Sequence, residues 1–178
     1  VFMGMGEPLM NYKNVLASIE KITQPEGLGM SPKRITVSTS GIPKLIRKMA
    51  DEDVKFRLAV SLHSARQEVR EKIMPFATKF PLDELLESLQ YWYAKTKRRI
   101  TFEYVVWEGV NDTKEDIQAL VKFCLNVPSK VNLIQYNPID GSSMKQAPSS
   151  VIDSYIKTLS DSRIQVTYRR SRGEDIDA

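Results

Sequence analysis

The sequence holds one cysteine, Cys124, and one histidine, His63, in 178 residues. A single thiol cannot close an internal disulfide, so a disulfide-stapled secreted scaffold is excluded and the cytosol is the expected compartment. With no second His and no Cys at ligand spacing, a metal site is not expected. No apolar run approaches the ~18 residues of a membrane span, and no signal-peptide pattern precedes the first strand-like segment. Glycine (8) and proline (9) are too scarce for collagen or a low-complexity chain. No G-x-S-x-G elbow is present, which argues against a hydrolase triad. Gly4-x-Gly6 lacks the third glycine of the dinucleotide fingerprint, because Leu9 stands in its place.

What is present is the composition of a globular domain, 42% hydrophobic and 27% charged, over a length that suits one domain, residues 1–178. The balance of 26 Lys+Arg against 22 Asp+Glu is mildly basic; it permits nucleic acid as a partner without implying it. Strand-like runs (Val1–Met3, Arg34–Ser38, Phe56–Leu62, Arg99–Trp107, Lys130–Tyr136 and Arg163–Tyr168) alternate with amphipathic helical stripes. Those stripes are Val15/Leu16/Ile19/Ile22, Leu45/Ile46/Met49, Leu82/Leu85/Leu86/Leu89, Ile117/Leu120/Val121/Cys124 and Ile152/Tyr155/Ile156/Leu159. Asp112-Thr113-x-x-Asp116 suits a helix cap, and Pro43 suits a first helical position. Repeated strand–helix–strand units predict an α/β fold with a parallel sheet and right-handed crossovers. A partial barrel and a doubly wound sheet both fit, and in either one ligands bind beyond the C-terminal strand ends. The first residue is Val1, in a strand already under way, and Glu174 to Ala178 carry no stop signal, so the chain is expected to be part of a longer one.

The predicted strand ends are polar and small: Gly4-Met5-Gly6-Glu7, Ser38-Thr39-Ser40-Gly41, Ser61-Leu62-His63-Ser64, Glu108-Gly109-Val110-Asn111-Asp112 and Asn137-Pro138-Ile139-Asp140-Gly141. Two readings of the first loop stand side by side, a turn that needs φ > 0 and a Glu7 carboxylate that grips an ammonium group. His63, at a strand end, reads either as a hydrogen-bonded structural residue or as a ligand contact. Ser38, Ser40 and Ser61 are suited to hydrogen-bonding a polar ligand. Cys124 falls on an apolar stripe and reads as core. Of two basic stretches, Lys95 to Arg99 lies at the opposite rim and reads as solvated surface. Tyr168-Arg169-Arg170-Ser171-Arg172 follows the last strand on the ligand rim, where arginines beside an aromatic suit a phosphate backbone and bases.

These motifs occur in a fixed order, from Met3-Gly4-Met5-Gly6-Glu7-Pro8-Leu9-Met10-Asn11 through Val37-Ser38-Thr39-Ser40-Gly41, Ala59-Val60-Ser61-Leu62-His63, Glu103-Tyr104-Val105 and Gly109-Val110-Asn111-Asp112. Asn132-Leu133-Ile134-Gln135-Tyr136-Asn137-Pro138 and Arg172-Gly173-Glu174-Asp175-Ile176-Asp177-Ala178 complete the series. Together they resemble the radical S-adenosylmethionine RNA methyltransferases that methylate carbon 2 of an adenine in 23S rRNA, some of which also act on tRNA. The resemblance covers essentially the whole chain. It implies a partial (β/α)6 TIM-like barrel holding S-adenosylmethionine against a 4Fe-4S cluster that an electron donor reduces. Gly6 and Glu7 match the glycine–glutamate motif that contacts the cofactor's amino group. Ser38, Ser61, Leu62 and His63 match positions lining its polar parts, and Asn137 matches an asparagine that closes the site. Arg169, Arg170 and Arg172 are then expected to meet RNA.

The family's CxxxCxxC cluster loop is missing from this sequence and is expected upstream of Val1. So is the cysteine that carries a methyl group to the adenine, expected just beyond Ala178. Cys124 matches neither, so no catalytic residue is assigned, and the chain alone is expected to be inactive and colourless. Two alternatives remain, the related carbon 8 methyltransferases that confer antibiotic resistance and a non-catalytic RNA-binding half-barrel. The expected cut also predicts an unpaired sheet edge at Val1–Met3 or its neighbour.

Overall fold

Residues 1–3, 6–138 and 141–170 are described by the computed structural model of the chain. Glu7 caps a 3-10 turn, Pro8–Asn11, that runs into α1 (Tyr12–Thr23). Four further strand–helix units follow: β1 (Thr36–Thr39), α2 (Pro43–Asp51), β2 (Arg57–Ser61), α3 (Gln67–Ile73), α4 (Leu82–Thr96), β3 (Ile100–Val105), α5 (Lys114–Leu125), β4 (Ser129–Ile134), α6 (Ser149–Asp161) and β5 (Gln165–Arg169). Pro43 opens α2 at its first turn, and α4 stops where Lys97 turns left-handed at φ 55°. Thr113 and Asp116 form a reciprocal capping box on α5, as their spacing predicts.

The strands lie in sequence order, β1-β2-β3-β4-β5, and every pairing is parallel. This order separates the two architectures that periodicity leaves open. A doubly wound sheet reverses its strand order once; here every right-handed crossover returns on the same side. All helices therefore cover one face, as in a barrel wall. On that face Val37, Leu58, Val60, Phe102, Tyr104, Val131 and Leu133 are fully buried in one continuous core. Phe102 meets Phe123 of α5 and Tyr104 meets Tyr155 of α6, with ring centroids 5.5 and 5.6 Å apart. The alternate positions, among them Arg57, Ser61, Thr101, Glu103, Lys130, Asn132 and Thr167, form the inner face and are mostly polar.

Two expectations are corrected. Val1–Met3 is not a strand: only Phe2 pairs, beside Val37, by Phe2 N–H to the Thr36 carbonyl (2.8 Å) and Ser38 N–H to the Phe2 carbonyl (3.1 Å). It extends the wall past β1, and no strand lies on its far side among the described residues. The second correction is α3, which periodicity does not predict. Its buried face is Val69 and Arg70, and a charge at a core position breaks the apolar stripe.

Candidate functional site

A cavity of about 550 Å³ opens beyond the C-terminal ends of β1 and β2. One wall is polar, from Gly6, Glu7, Ser38, Ser40, Ser61 and His63; Met74, Phe76 and Trp107 make an apolar side. Residues from three of the five predicted rim loops thus converge here.

Glu7 organises the first of these loops. Its Oε1 accepts hydrogen bonds from Leu9 N–H (3.0 Å) and the Thr39 hydroxyl (2.7 Å), and its Oε2 from Ser40 N–H (2.7 Å) and the Ser40 hydroxyl (2.6 Å). A carboxylate has about four acceptor sites, so this one is filled by the protein itself. The turn that delivers it is made by Gly6 at φ 103°, a backbone region that favours glycine. Gly41 follows with φ 98°, and a Cβ there would stand 2.9 Å from the Leu85 side chain.

His63 has φ 56°, uncommon for a residue with a side chain, and is held there from both sides. Val105 N–H donates to its Nδ1 at 3.2 Å, so the neutral ring carries its proton on Nε2. Burial, with the Arg70 cation behind it, pushes His63 down to about 4, and the ring is neutral at physiological pH. Its edge meets Trp107 at a centroid distance of 5.7 Å.

Two buried residues assigned no role in the sequence hold these loops together. Arg70 is fully buried. Its Nε donates to the Leu62 carbonyl (3.1 Å), and its Nη2 donates to the carbonyls of Ser40 (2.6 Å) and Ser61 (3.4 Å). No carboxylate pairs with it among the described residues, Nη1 has no partner, and burial pushes its pKa down to about 10. Asn111, also fully buried, donates to the carbonyls of His63 (2.7 Å) and Val105 (2.8 Å) and accepts from Trp107 N–H (2.8 Å). Its motif was legible in the sequence; its function as a three-way junction was not. Deeper on the inner face, burial raises the Glu103 carboxyl while Asn132 donates to it at 3.0 Å.

Other predicted residues fall elsewhere. The Leu62 side chain is sealed in the helix-side core, leaving its backbone to face Arg70 and the Glu103 carbonyl. Asn137 is half-buried after β4 and is not among the walls of this cavity. Arg169 and Arg170 are exposed at the end of β5, while Gly4, Met5 and Arg172 lie outside the described residues. Cys124 is buried in α5 with its thiol pushed up to about 12 by burial, a core residue as expected. Among the described residues no cluster of His, Cys, Asp and Glu is fit to hold a metal, and no helix is long and apolar enough to cross a membrane.

The sequence pattern of the Radical SAM superfamily matches residues 1–124. The probable dual-specificity RNA methyltransferase RlmN of Flavobacterium psychrophilum is 66% identical over 178 residues, all of this chain and 51% of that protein. The Thermus thermophilus protein of the same description is 41% identical, again over all of this chain and 50% of its own length. The chain thus spans about half the length of the curated relatives it matches. The crystal structure of a radical SAM methyltransferase from Sphaerobacter thermophilus superimposes with a TM-score of 0.93 at 35% identity, over 98% of this chain and 51% of that one. A domain of the pyruvate-formate lyase-activating enzyme from Bacteroides vulgatus, 19% identical, shares the fold with a TM-score of 0.71 over 94% of this chain and 96% of its own.

Proposed function

Because the chain belongs to the radical SAM superfamily, we propose that it is the cofactor-binding half-barrel of an RNA methyltransferase acting on carbon 2 of an adenine in 23S rRNA, with tRNA as a second substrate. The observation that carries this reading is the single cavity shared by Gly6, Glu7, Ser38, Ser61 and His63. Its volume of about 550 Å³ falls within the ~300–1,000 Å³ usual for small-molecule sites. Its carboxylate, hydroxyls, neutral imidazole and apolar side match the ammonium, hydroxyl and ring groups of S-adenosylmethionine. The described residues do not fit a 4Fe-4S cluster: the one thiol is buried and held protonated. Cluster ligands and the methyl-carrying cysteine belong in this reading to residues outside those described, an electron donor is a separate partner, and the cytoplasm is the compartment.

When bound, S-adenosylmethionine supplies the methyl group and, on reduction, the power to remove hydrogen from carbon. The work of this chain is orientation and water exclusion. Glu7 would present its charge to the ligand's ammonium, and of its four donors the Thr39 and Ser40 hydroxyls, which can rotate, would give way rather than a backbone N–H. The His63 Nε2–H donates without titrating. The Ser38 and Ser61 hydroxyls complete the polar contacts of the cavity, and Trp107, Met74 and Phe76 close its apolar side. Arg169, Arg170 and Arg172 take the RNA.

The test is to reduce the natural full-length protein with S-adenosylmethionine and a 23S rRNA fragment, then identify the modified nucleoside by mass spectrometry against standards. The expected product is 2-methyladenosine. 8-Methyladenosine would reassign the carbon, and cofactor binding with no methylated product would make the chain a binding module.

A further inference from the structure

We propose a second ligand site, for a multiply charged phosphate anion, at the N-terminal mouth of the half-barrel. It uses none of the residues of the cofactor cavity and does not depend on the function assigned to that cavity. A separate cavity of about 500 Å³ lies there, walled by Lys33, Lys55, Arg57, Arg98, Arg99 and Lys130, with Thr101 and Gln165 as neutral hydrogen-bonding groups. The sheet register explains the convergence. Arg57, Thr101, Lys130 and Gln165 are inner-face positions near the starts of four adjacent strands, with Thr101, Lys130 and Gln165 paired in one row. Barrels ordinarily fill their interior with branched apolar side chains. Here Arg57 and Lys130 hold two of those places, Thr101 and Gln165 the other two, and Lys33, Lys55, Arg98 and Arg99 join them from segments outside the strands.

The charge is not balanced locally. Asp53 pairs with both Lys55 and Arg98. Arg99 donates to the neutral Gln165 at 2.8 Å. Lys33, Arg57 and Lys130 have no ion pair within 4 Å among the described residues; the charge of Lys130 is felt by Glu103, deeper in the barrel. Six cations facing one carboxylate exceed the net charge of +4 carried by the whole chain. The positive charge is therefore concentrated at this mouth, and the remaining residues balance to slightly acidic. Crowded like charges repel, and one bound carboxylate would neutralise only a single charge. A ligand with two or more phosphate charges satisfies the site, since guanidinium groups hydrogen-bond phosphate in pairs and lysines add point charges. Either a free polyphosphate or successive phosphodiesters of an RNA chain supplies that chemistry.

The experiment titrates pyrophosphate into the natural full-length protein by calorimetry, for the wild type, for Arg57→Gln/Lys130→Gln, and for Lys44→Gln/Lys122→Gln as a charge-matched control on exposed helix positions. Arg99→Gln, exposed and just before β3, is the second mouth variant should the double one fail to fold. Pyrophosphate affinity is expected to fall at least tenfold in the mouth variants and to be unchanged in the control, with S-adenosylmethionine affinity the same in all. A single-stranded RNA oligonucleotide that competes with pyrophosphate identifies the ligand as RNA backbone; failure to compete identifies a free polyphosphate. Equal pyrophosphate affinity in wild type and mouth variants, or no measurable binding, overturns the proposal.

Discussion

Replacing Arg70 by Met tests how the two cavity loops are held. Methionine retains the length and apolar stem of the side chain while removing its charge and donors. The two shorter bonds, to Ser40 (2.6 Å) and Leu62 (3.1 Å), are charge-assisted; each contributes ~1.5–3 kcal/mol, or about 3–6 kcal/mol together. The opposing effect is relief of a desolvated cation. A guanidinium pushed from 12.5 down to about 10 costs about 3 kcal/mol of burial at ~1.4 kcal/mol per unit. The remainder is about 0–3 kcal/mol of net destabilisation, or a melting temperature lower by up to roughly 10 °C in a chain of this size. The functional loss is expected to be larger than that figure suggests, because the Ser40 and Ser61–Leu62 loops lose their one common anchor. In the natural full-length protein Arg70→Met should weaken S-adenosylmethionine binding at least tenfold, whereas Arg70→Lys, which keeps the cation, should recover part of it. The His63 ring should respond as well: burial still holds its pKa down, but loss of the adjacent charge, the smaller cause, should raise it from about 4, readable by NMR on labelled imidazole. A folded Arg70→Met variant with unchanged cofactor affinity and an unshifted His63 would refute the reasoning.

Glu7→Gln should both loosen the first loop and weaken the cofactor, since an amide replaces two of the four acceptor positions; with ~1.5 kcal/mol for each lost bond, thermal denaturation should show about 3 kcal/mol of destabilisation. Arg170→Ala should instead leave cofactor titrations untouched while lowering RNA affinity and reducing its logarithmic salt slope by about one. The depressed His63 sets the sign of a pH effect: between 6.5 and about 4 the unfolded chain binds the proton and the folded one does not, so stability is lost as the pH is lowered through that window, by roughly 2 kcal/mol when the partly cavity-facing ring is discounted. Denaturant melts of the wild type and His63→Asn across pH 4–7 should converge at the acid end; parallel curves would contradict this. Gly41→Ala should destabilise far more than Gly109→Ala. Both residues have positive φ, but only at Gly41 does the new methyl meet the Leu85 side chain at 2.9 Å, and a chemical-denaturation midpoint distinguishes a clash from strain alone, ~1–2 kcal/mol.

Much of this molecule follows from short-range order. Strand and helix periods place five of the six helices, the Thr113–Asp116 cap and the Pro43 start, because those signals are carried within a turn or two of the chain. The polarity of the strand ends locates the rim, and the ordered motifs name its residues. What sequence alone leaves undecided is long-range. Strand order separates a barrel wall from a doubly wound sheet, and it depends on which side each crossover returns. Arg70 hides α3 from the apolar pattern, since its value to the fold lies in three carbonyls 8, 9 and 30 residues away. Glu7 reads as a free ligand group until Thr39 and Ser40, 32 and 33 residues on, fill its oxygens. The basic mouth divides the same way. In the sequence Arg98 and Arg99 read as part of a solvated basic stretch; only parallel register gathers Arg57, Lys130 and Gln165 from separate strands at one end of the barrel. Local composition determines which elements form and which residues line their ends; parallel strand pairing and its register, acting between residues far apart in the chain, decide which charges share a cavity and which are already satisfied.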